Sequence, residues 1–277
     1  MVMNSSELRD VDYDKISRLV YEQCGINLHE GKKELVKARL GKRLREGNFG
    51  SFGDYYRYVL TEDGTAELIT MIDSISTNLT SFFREESHYH TLRQIIQARL
   101  ESKGKGGAPL HMRIWSAGCS TGEEPYSLAM TVCETLNGAA SDVKIMATDI
   151  STRVLSAAVK GIYRTDKFNN MPSAILKKYF QRGCGKSEGY YRIKNEIRAM
   201  VQFERFNLME TPPSNYRFDV IFCRNVMIYF DKETQGGLIN RFYQCLNQGG
   251  YLFIGHSESL TGLTHEFKYI EPNIYRK

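Results

Sequence analysis

The stretch WSAGCSTGEEPYSLA (115–129) is where residue types and spacing first point to chemistry. Gly118 and Gly122 flank a tight turn of small residues, and Pro125 suits the first turn of a following helix. A strand-to-helix turn of this kind lets backbone approach a ligand closely. Its G-x-x-x-G spacing is not the G-x-G-x-x-G of dinucleotide sites, and Glu123 and Glu124 stand where a pyrophosphate would be repelled. A ligand with an amino group or a sulfonium tolerates them better; the plain alternative is a glycine turn with a solvated acidic helix start. Downstream, Asp149 closes the run DVKIMATD. An acid there accepts hydrogen bonds from ribose hydroxyls, or else caps the next helix. Together the two signals favour an adenosine-containing ligand without a pyrophosphate.

Two further segments offer polar side chains. YRFDVIFCRN ends in Cys223, Arg224 and Asn225, and VMIYFD follows with Tyr229. Asn225 and Tyr229 are therefore candidates to touch ligand or substrate, although Tyr229 taken alone reads first as a core aromatic in an apolar helix turn. In SISTNLTSFFREE (74–86), Asn78, Thr80 and Arg84 are set at spacings of two and four around Phe82 and Phe83. The segment reads as a loop that closes over a ligand while its aromatics are buried, or as a capping turn with a surface arginine.

These residues need a scaffold, and 277 residues with 42% hydrophobic and 25% charged side chains are enough to bury one large core or two modest ones. Up to about residue 100 the pattern is helical: Ile16, Leu19 and Val20 repeat at helical spacing, as do Val36, Leu40 and Leu44, and another helical stretch covers Tyr55 to Leu60. ESKGKGGAP (101–109) reads as a linker. After it come four short apolar runs, HMRIWSAG, DVKIMATD, YRFDVIFCRN and GGYLFIGHS, separated by helical patterns such as Pro125–Leu136 and Lys232–Leu246. That alternation predicts a parallel α/β sheet with ligands at the strand C-termini. Within 163–205, RGCGKSEGYYRIKNEI looks like an inserted hairpin around a glycine-rich turn. The expected organisation is a helical domain over 1–90 and an α/β domain over 91–277.

Other classes recede. No apolar run reaches the roughly 18 to 20 residues of a membrane-spanning helix, and the polar, acidic start lacks the features of a secretory signal. The expected location is the cytoplasm, without membrane insertion. The six cysteines are scattered with no C-x-x-C, which argues against a zinc ribbon or a disulfide framework. His88 and His90 form an H-x-H with only Glu85 and Glu86 nearby in sequence, so no metal site is expected. A net charge of +5 suits an acidic partner but does not indicate nucleic acid.

TNLTSFFRE, SAGCSTGEEPYS, ATDIS and IFCRNVMIYFD resemble, in order and spacing, the chemoreceptor glutamate O-methyltransferases of the CheR type. The resemblance runs over essentially the whole chain. It implies an all-α N-terminal domain, a Rossmann-like domain dependent on S-adenosylmethionine (SAM), and a small inserted antiparallel β-subdomain. It also implies conversion of SAM to S-adenosylhomocysteine (SAH) while glutamates on methyl-accepting chemotaxis receptors are esterified. By matching position, Asn78, Thr80 and Arg84 look like SAM contacts from the domain junction, Glu124 like the acid of the glycine turn, and Asp149 like the ribose acceptor. Asn207 and Leu208, in RFNLME, look like the pair flanking adenine, and Arg224, Asn225 and Val226 like contacts near the methionine part. Arg84 and Tyr229 match the pair beside the transferring methyl. The RGCGKSEG loop is similar to that of members that bind a receptor C-terminal peptide through the β-subdomain.

A glutamate nucleophile, with an unperturbed pKa of about 4.3, is already ionised at neutral pH. No general base is required, and catalysis is expected from positioning and desolvation. Lys32, Arg39 and Arg43 fall within about 20° of one helical face, so a basic surface is expected to dock an acidic receptor bundle. A nucleic-acid methyltransferase is disfavoured by CRNVMIY at the strand end, and an oxidoreductase by the missing fingerprint. A SAM-binding signalling module without catalysis is the alternative from another class.

Overall fold

The computed structural model describes residues 7–102, 109–169 and 171–277. The opening six residues, and 103–108 of the expected linker, lie outside the described residues. Four helices come first: α1 (Asp10–Cys24), α2 (Lys33–Glu46), α3 (Phe52–Val59) and α4 (Thr65–Ile75). Ile16, Leu19 and Val20 of α1 meet Val36, Leu40 and Leu44 of α2 in one core with Tyr55 and Met71, as their periodicity requires. Gly25 ends α1 in the left-handed region at φ 72, its N–H on the Tyr21 carbonyl. Ser51 caps α3 by accepting the Asp54 N–H.

α5 (Glu86–Ser102) faces a different core: Tyr89, Leu92, Ile95 and Ile96 pack beneath the sheet. The chain continues through β1 (Leu110–Ala117), α6 (Glu123–Leu136), β2 (Ser141–Asp149) and α7 (Thr152–Lys160). Next come β3 (Ile162–Arg164), α8 (Ser173–Tyr179), β4 (Phe180–Arg182), β5 (Tyr190–Ile193), α9 (Asn195–Arg198) and β6 (Val201–Arg205). The last elements are β7 (Phe218–Cys223), α10 (Lys232–Cys245), β8 (Leu246–Ile254), β9 (Lys268–Glu271) and β10 (Ile274–Arg276). The four apolar runs become β1, β2, β7 and β8, the centre of a seven-stranded sheet in the order β6-β2-β1-β7-β8-β10-β9. Pairing is parallel from β6 to β8 and antiparallel from β8 through β10 to β9.

Successive side chains of the central strands go to opposite faces. Ile114, Val220 and Phe222 join the core shared with α5 and α6, while Trp115, Ile221 and Cys223 join Leu238, Ile239 and Phe242 of α10. Burial on both sides holds toward the carboxyl ends of these strands, while the first halves of β1 and β2 alternate buried and exposed residues. The inserted region forms a separate three-stranded sheet in the order β3-β5-β4, with Phe180–Arg182 paired to Tyr191–Ile193 across the expected hairpin. This small sheet ends at Ile193; Val201–Arg205, inside the expected 163–205 insertion, pairs with β2 as the edge of the large sheet.

Candidate active site

A cleft opens at the carboxyl ends of β1, β2 and β7, where the strand order runs outward in two directions from the β1–β7 pair. Its volume is about 280 Å³, near the lower end of the roughly 300–1,000 Å³ of small-molecule sites. Lys32, Asn78, Thr80, Arg84, Glu124, Asp149, Asn207, Leu208, Arg224, Asn225, Val226 and Tyr229 all line it. Arg39 and Arg43 do not.

The floor is the glycine turn. Gly118 takes φ 83 and Gly122 φ 93. A Cβ on Gly118 would lie 2.4 Å from Val226 Cγ2, and one on Gly122 2.9 Å from the Ala158 Cβ, so conformation and space both exclude a side chain. Between them Ser120, also left-handed at φ 50, donates its N–H to Asp149 Oδ2 at 2.8 Å. The Ser151 N–H donates to Oδ1 at 3.0 Å, and Ser151 rather than Asp149 caps α7. Burial raises the Asp149 pKa against the opposing pull of these N–H groups. Each carboxylate oxygen keeps acceptor capacity for a ligand hydroxyl.

The acidic pair after the turn is not solvated. Glu124 accepts from the Ser116 hydroxyl and from Arg224 Nε, each at 2.7 Å. Glu123 is fully buried and accepts from the Thr121 hydroxyl at 2.6 Å and Lys167 Nζ at 3.1 Å. Each carboxylate therefore has its own cation, and the expectation that bare acids repel a pyrophosphate here does not describe the folded turn.

At the cleft wall the Arg224 side chain is 2% exposed and engaged by the protein itself. Besides Glu124, its guanidinium donates to the Arg84 carbonyl at 2.6 Å, the Tyr89 hydroxyl at 3.1 Å, His88 Nδ1 at 3.3 Å and Glu85 Oε2 at 3.4 Å. It also lies over the rings of Tyr89 and Phe222. Burial opposes its charge, but Tyr89 and the two carboxylates outweigh burial and raise its pKa. Asn225 adopts φ 59, and its N–H is held by Glu258 Oε2 at 2.9 Å. Glu258 also accepts from the N–H groups of Gly255 at 2.6 Å and Ile228 at 3.3 Å, fixing the end of β7 against the end of β8. Burial raises the Glu258 pKa, opposed by those N–H groups.

Arg84 lies between Phe83 and Glu85, both non-glycine residues in the left-handed region at φ 53 and 59. Such conformations persist only where the surroundings enforce them. The Phe83 N–H donates to the Ser127 hydroxyl at 3.0 Å, and its ring packs on Tyr89. Phe82, partly buried, packs against Tyr163, Phe168 and Phe180 of the insertion. Among the described residues the Arg84 guanidinium makes one hydrogen bond, to the Leu79 carbonyl at 3.2 Å, lies 4.0 Å from Glu85 Oε1, and is 37% exposed. Tyr229 closes a 3₁₀ turn, Met227–Tyr229, whose last carbonyl accepts the Asn27 N–H at 2.8 Å. With Tyr21 on Asp231 at 2.8 Å and Asn207 on the Gln23 carbonyl at 2.7 Å, that contact joins the helical bundle to the cleft wall.

Asn78 gives the most direct test of which ligand the cleft fits. Its carbonyl accepts the Ser120 hydroxyl at 2.9 Å, but its buried Nδ2 has no partner among the described residues. Native interiors rarely leave such a donor unpaired. A carboxylate or ring nitrogen would satisfy it, hydroxyls would satisfy Asp149, and Ile150, Phe206 and Leu208 offer apolar cover for a flat ring. The cleft thus fits SAM.

The basic helix departs from expectation. Lys32 sits in a 3₁₀ turn ahead of α2, exposed at the cleft. Arg39 instead closes the end of α4, donating to the carbonyls of Ile75 and, at 3.0 Å, Ser76, and to the Thr77 hydroxyl at 3.1 Å. Burial lowers its pKa. Arg43 is held by Glu67 at 2.6 Å. The three do not form one solvated basic face, because carboxylates and helix-end carbonyls from other helices occupy two of them.

The H-x-H residues also separate: His90 bonds to Gln94, while His88 gathers with Glu85 and His256, their ligand atoms within 4.8 Å of one another. The Arg224 guanidinium stands beside His88 at 3.3 Å and Glu85 at 3.4 Å as a fixed cation, and its charge disfavours a metal ion in this group. Burial, reinforced by Arg224, pushes the His88 pKa down to about 4. Sequence reasoning did not single out Glu258 or Lys167. An acid just past a strand end was the signal available for Glu258; Lys167 offered none.

Residues 78–276 match the family described as CheR methyltransferase, SAM binding domain, and residues 11–76 match its all-alpha domain. Over 274 residues the chain is 42% identical to a chemotaxis protein methyltransferase of Borreliella burgdorferi, covering 97% of this chain and 95% of the relative. It is 40% identical over 271 residues to the chemotaxis protein methyltransferase of Escherichia coli, covering 97% and 91%. With both domains matched along nearly its full length, the chain belongs to the CheR methyltransferase family and is a SAM-dependent methyltransferase.

Proposed function

We propose that the enzyme methylates the side-chain carboxylates of glutamates on chemotaxis receptors, acting in the cytoplasm for sensory adaptation. The observation that carries the reading is the unpaired Asn78 amide in a cleft that also presents Asp149, Arg84 and Tyr229. In this reading Asp149 takes the ribose hydroxyls, and Asn207 and Leu208 flank the adenine. Asn78, Thr80, Asn225 and Val226 surround the methionine part, while Glu124 and Arg224 shape that wall by holding each other. Bound SAM supplies an electrophilic methyl on a sulfonium.

The acceptor glutamate arrives ionised, so the protein's task is orientation and exclusion of water. Of its five donors the Arg84 guanidinium uses one among the described residues, at Leu79, with Nε turned to Glu85 at 4.0 Å, so its remaining Nη donors are left for the incoming carboxylate. Tyr229 shapes the approach with its ring and hydroxyl. Lys32, exposed at the mouth, meets the acidic receptor helix directly; Arg39 and Arg43 support that surface through the helices they tie together. The small sheet takes the receptor's C-terminal peptide along an open edge.

The test is incubation with methyl-tritiated SAM and membranes carrying a chemoreceptor, followed by mild alkali. Volatile tritiated methanol from the receptor band is the expected result. SAM binding without any label on a panel of receptors would replace this reading with that of a silent binding module.

A further inference from the structure

We propose that Lys167 is a positioning residue for the cofactor site, through which the inserted sheet braces the segment that carries Asn78, Thr80 and Arg84. The proposal deepens the assignment of that segment to SAM and rests on it. Lys167 lies in a 3₁₀ turn, Thr165–Phe168, of the insertion, and its ammonium spans two groups. It donates to the Thr80 carbonyl at 3.3 Å and to Glu123 Oε1 at 3.1 Å. Glu123 is the first residue of α6, fully buried, and Lys167 is its only ion-pair partner among the described residues. One side chain therefore links the loop before Arg84 to the helix that starts at the glycine turn.

Three neighbouring contacts follow the same path. Phe82 inserts between Tyr163, Phe168 and Phe180, so the residue two before Arg84 is anchored in the insertion. The Tyr163 hydroxyl donates to the Thr121 carbonyl at 2.7 Å, inside the glycine turn. The Phe83 N–H is held by Ser127, whose hydroxyl donates to the Glu123 carbonyl at 2.7 Å. The segment 78–84 lacks regular secondary structure, with left-handed residues at 83 within it and 85 just after, so its path is set by these attachments rather than by a helix or strand. Lys167 itself does not line the cleft, so its effect must pass through Thr80 and Glu123.

Three variants test this: Lys167→Met, Lys167→Arg, and Lys167→Met combined with Glu123→Gln. The readouts are SAH affinity by calorimetry, kcat and KM with receptor membranes, and melting temperature. SAH binding by the parent enzyme is measured first, which separates a failure of the SAM assignment from a failure of this proposal. Lys167→Met is expected to weaken SAH binding about tenfold, the scale of one charge-assisted hydrogen bond, and to lower kcat. Lys167→Arg is expected to stay near the parent. The double variant removes the unpaired buried charge and should recover the melting temperature while SAH binding stays weak, because the Thr80 carbonyl is still unheld. Parent-like SAH affinity in Lys167→Met would overturn the proposal. So would recovery of affinity together with melting temperature in the double variant, since Lys167 would then only neutralise Glu123.

Discussion

Replacing Arg224 by Met is the most exacting perturbation of the site, because it removes a buried charge with many partners and leaves the fold's apolar surroundings intact. The Arg224 side chain is 2% exposed and that of Glu124 10%. Without the guanidinium, Glu124 keeps only the Ser116 hydroxyl as a side-chain donor among the described residues, and the Arg84 carbonyl and Tyr89 hydroxyl lose their Arg224 contacts. Leaving one member of such a pair buried and unpaired costs about 3–5 kcal/mol. At about 2–4 °C per kcal/mol for a chain of this size, the melting temperature should fall by roughly 6–20 °C. Combining Arg224→Met with Glu124→Gln replaces both charges, and the methionine can fill the space beside Tyr89 and Phe222. The pair should then recover about 2–3 kcal/mol of the loss, a coupling typical of residues in direct contact. Thermal unfolding of the parent, both single variants and the double variant at pH 7, followed by circular dichroism, gives that coupling. Additive effects, or a melting temperature within about 2 °C of the parent for Arg224→Met, would refute the claim that this network carries the end of β7.

Three shorter tests follow. Arg84→Ala should lower kcat for receptor methylation by tenfold or more, about 1.4 kcal/mol of lost transition-state stabilisation, with SAH affinity changed less; near-normal turnover removes Arg84 from the carboxylate-orienting role. Gly118→Ala forces a side chain onto Val226 at positive φ, so SAH binding should weaken about tenfold and partly return with Val226→Ala; unchanged calorimetric affinity would show that the turn yields. For pH, the folded-state pKa of His88 lies near 4, below its unfolded value of 6.5. The unfolded chain therefore binds the extra proton first, and stability falls as pH drops from 6.5 to 4, by on the order of 3 kcal/mol. Glu85, whose pKa is lowered by His256 and Arg224 against its burial, adds to the loss at still lower pH. His88→Gln should flatten the slope of denaturation midpoint against pH above 4; an unaltered slope assigns the acid lability elsewhere.

What the sequence revealed follows from how local each signal was. Gly118, Asp149 and Asn225 stand at or just past the ends of strands whose carboxyl-terminal halves are buried and largely apolar, so their shared location could be read from the chain. Short, alternating or edge strands such as Val201–Arg205 and Ile274–Arg276 carry too few residues to stand out. Glu123 and Glu124 resembled a solvated helix start because their cations, Lys167 and Arg224, lie 44 and 100 residues away. Arg43 looked free for the same reason: Glu67 sits on another helix. Helical periodicity tells which side of α2 faces outward, but not which carboxylate the bundle brings to that side.

Ile26, Asn27 and Leu28, between α1 and α2, form part of the same cleft as Asp149 and Asn225. Whatever fills that cleft is therefore also a strut between the helical lobe and the sheet. Occupancy at a hundred times the dissociation constant adds about 2.7 kcal/mol against any motion that parts the two lobes and releases the ligand. Thermodynamic reciprocity then ties the two binding events together: a receptor that prefers one arrangement of the lobes changes cofactor affinity by the same factor by which cofactor changes receptor affinity. Turnover replaces SAM by SAH in that strut, so the difference between the two ligands in holding the lobes sets whether the enzyme stays on its receptor or lets go after each methyl.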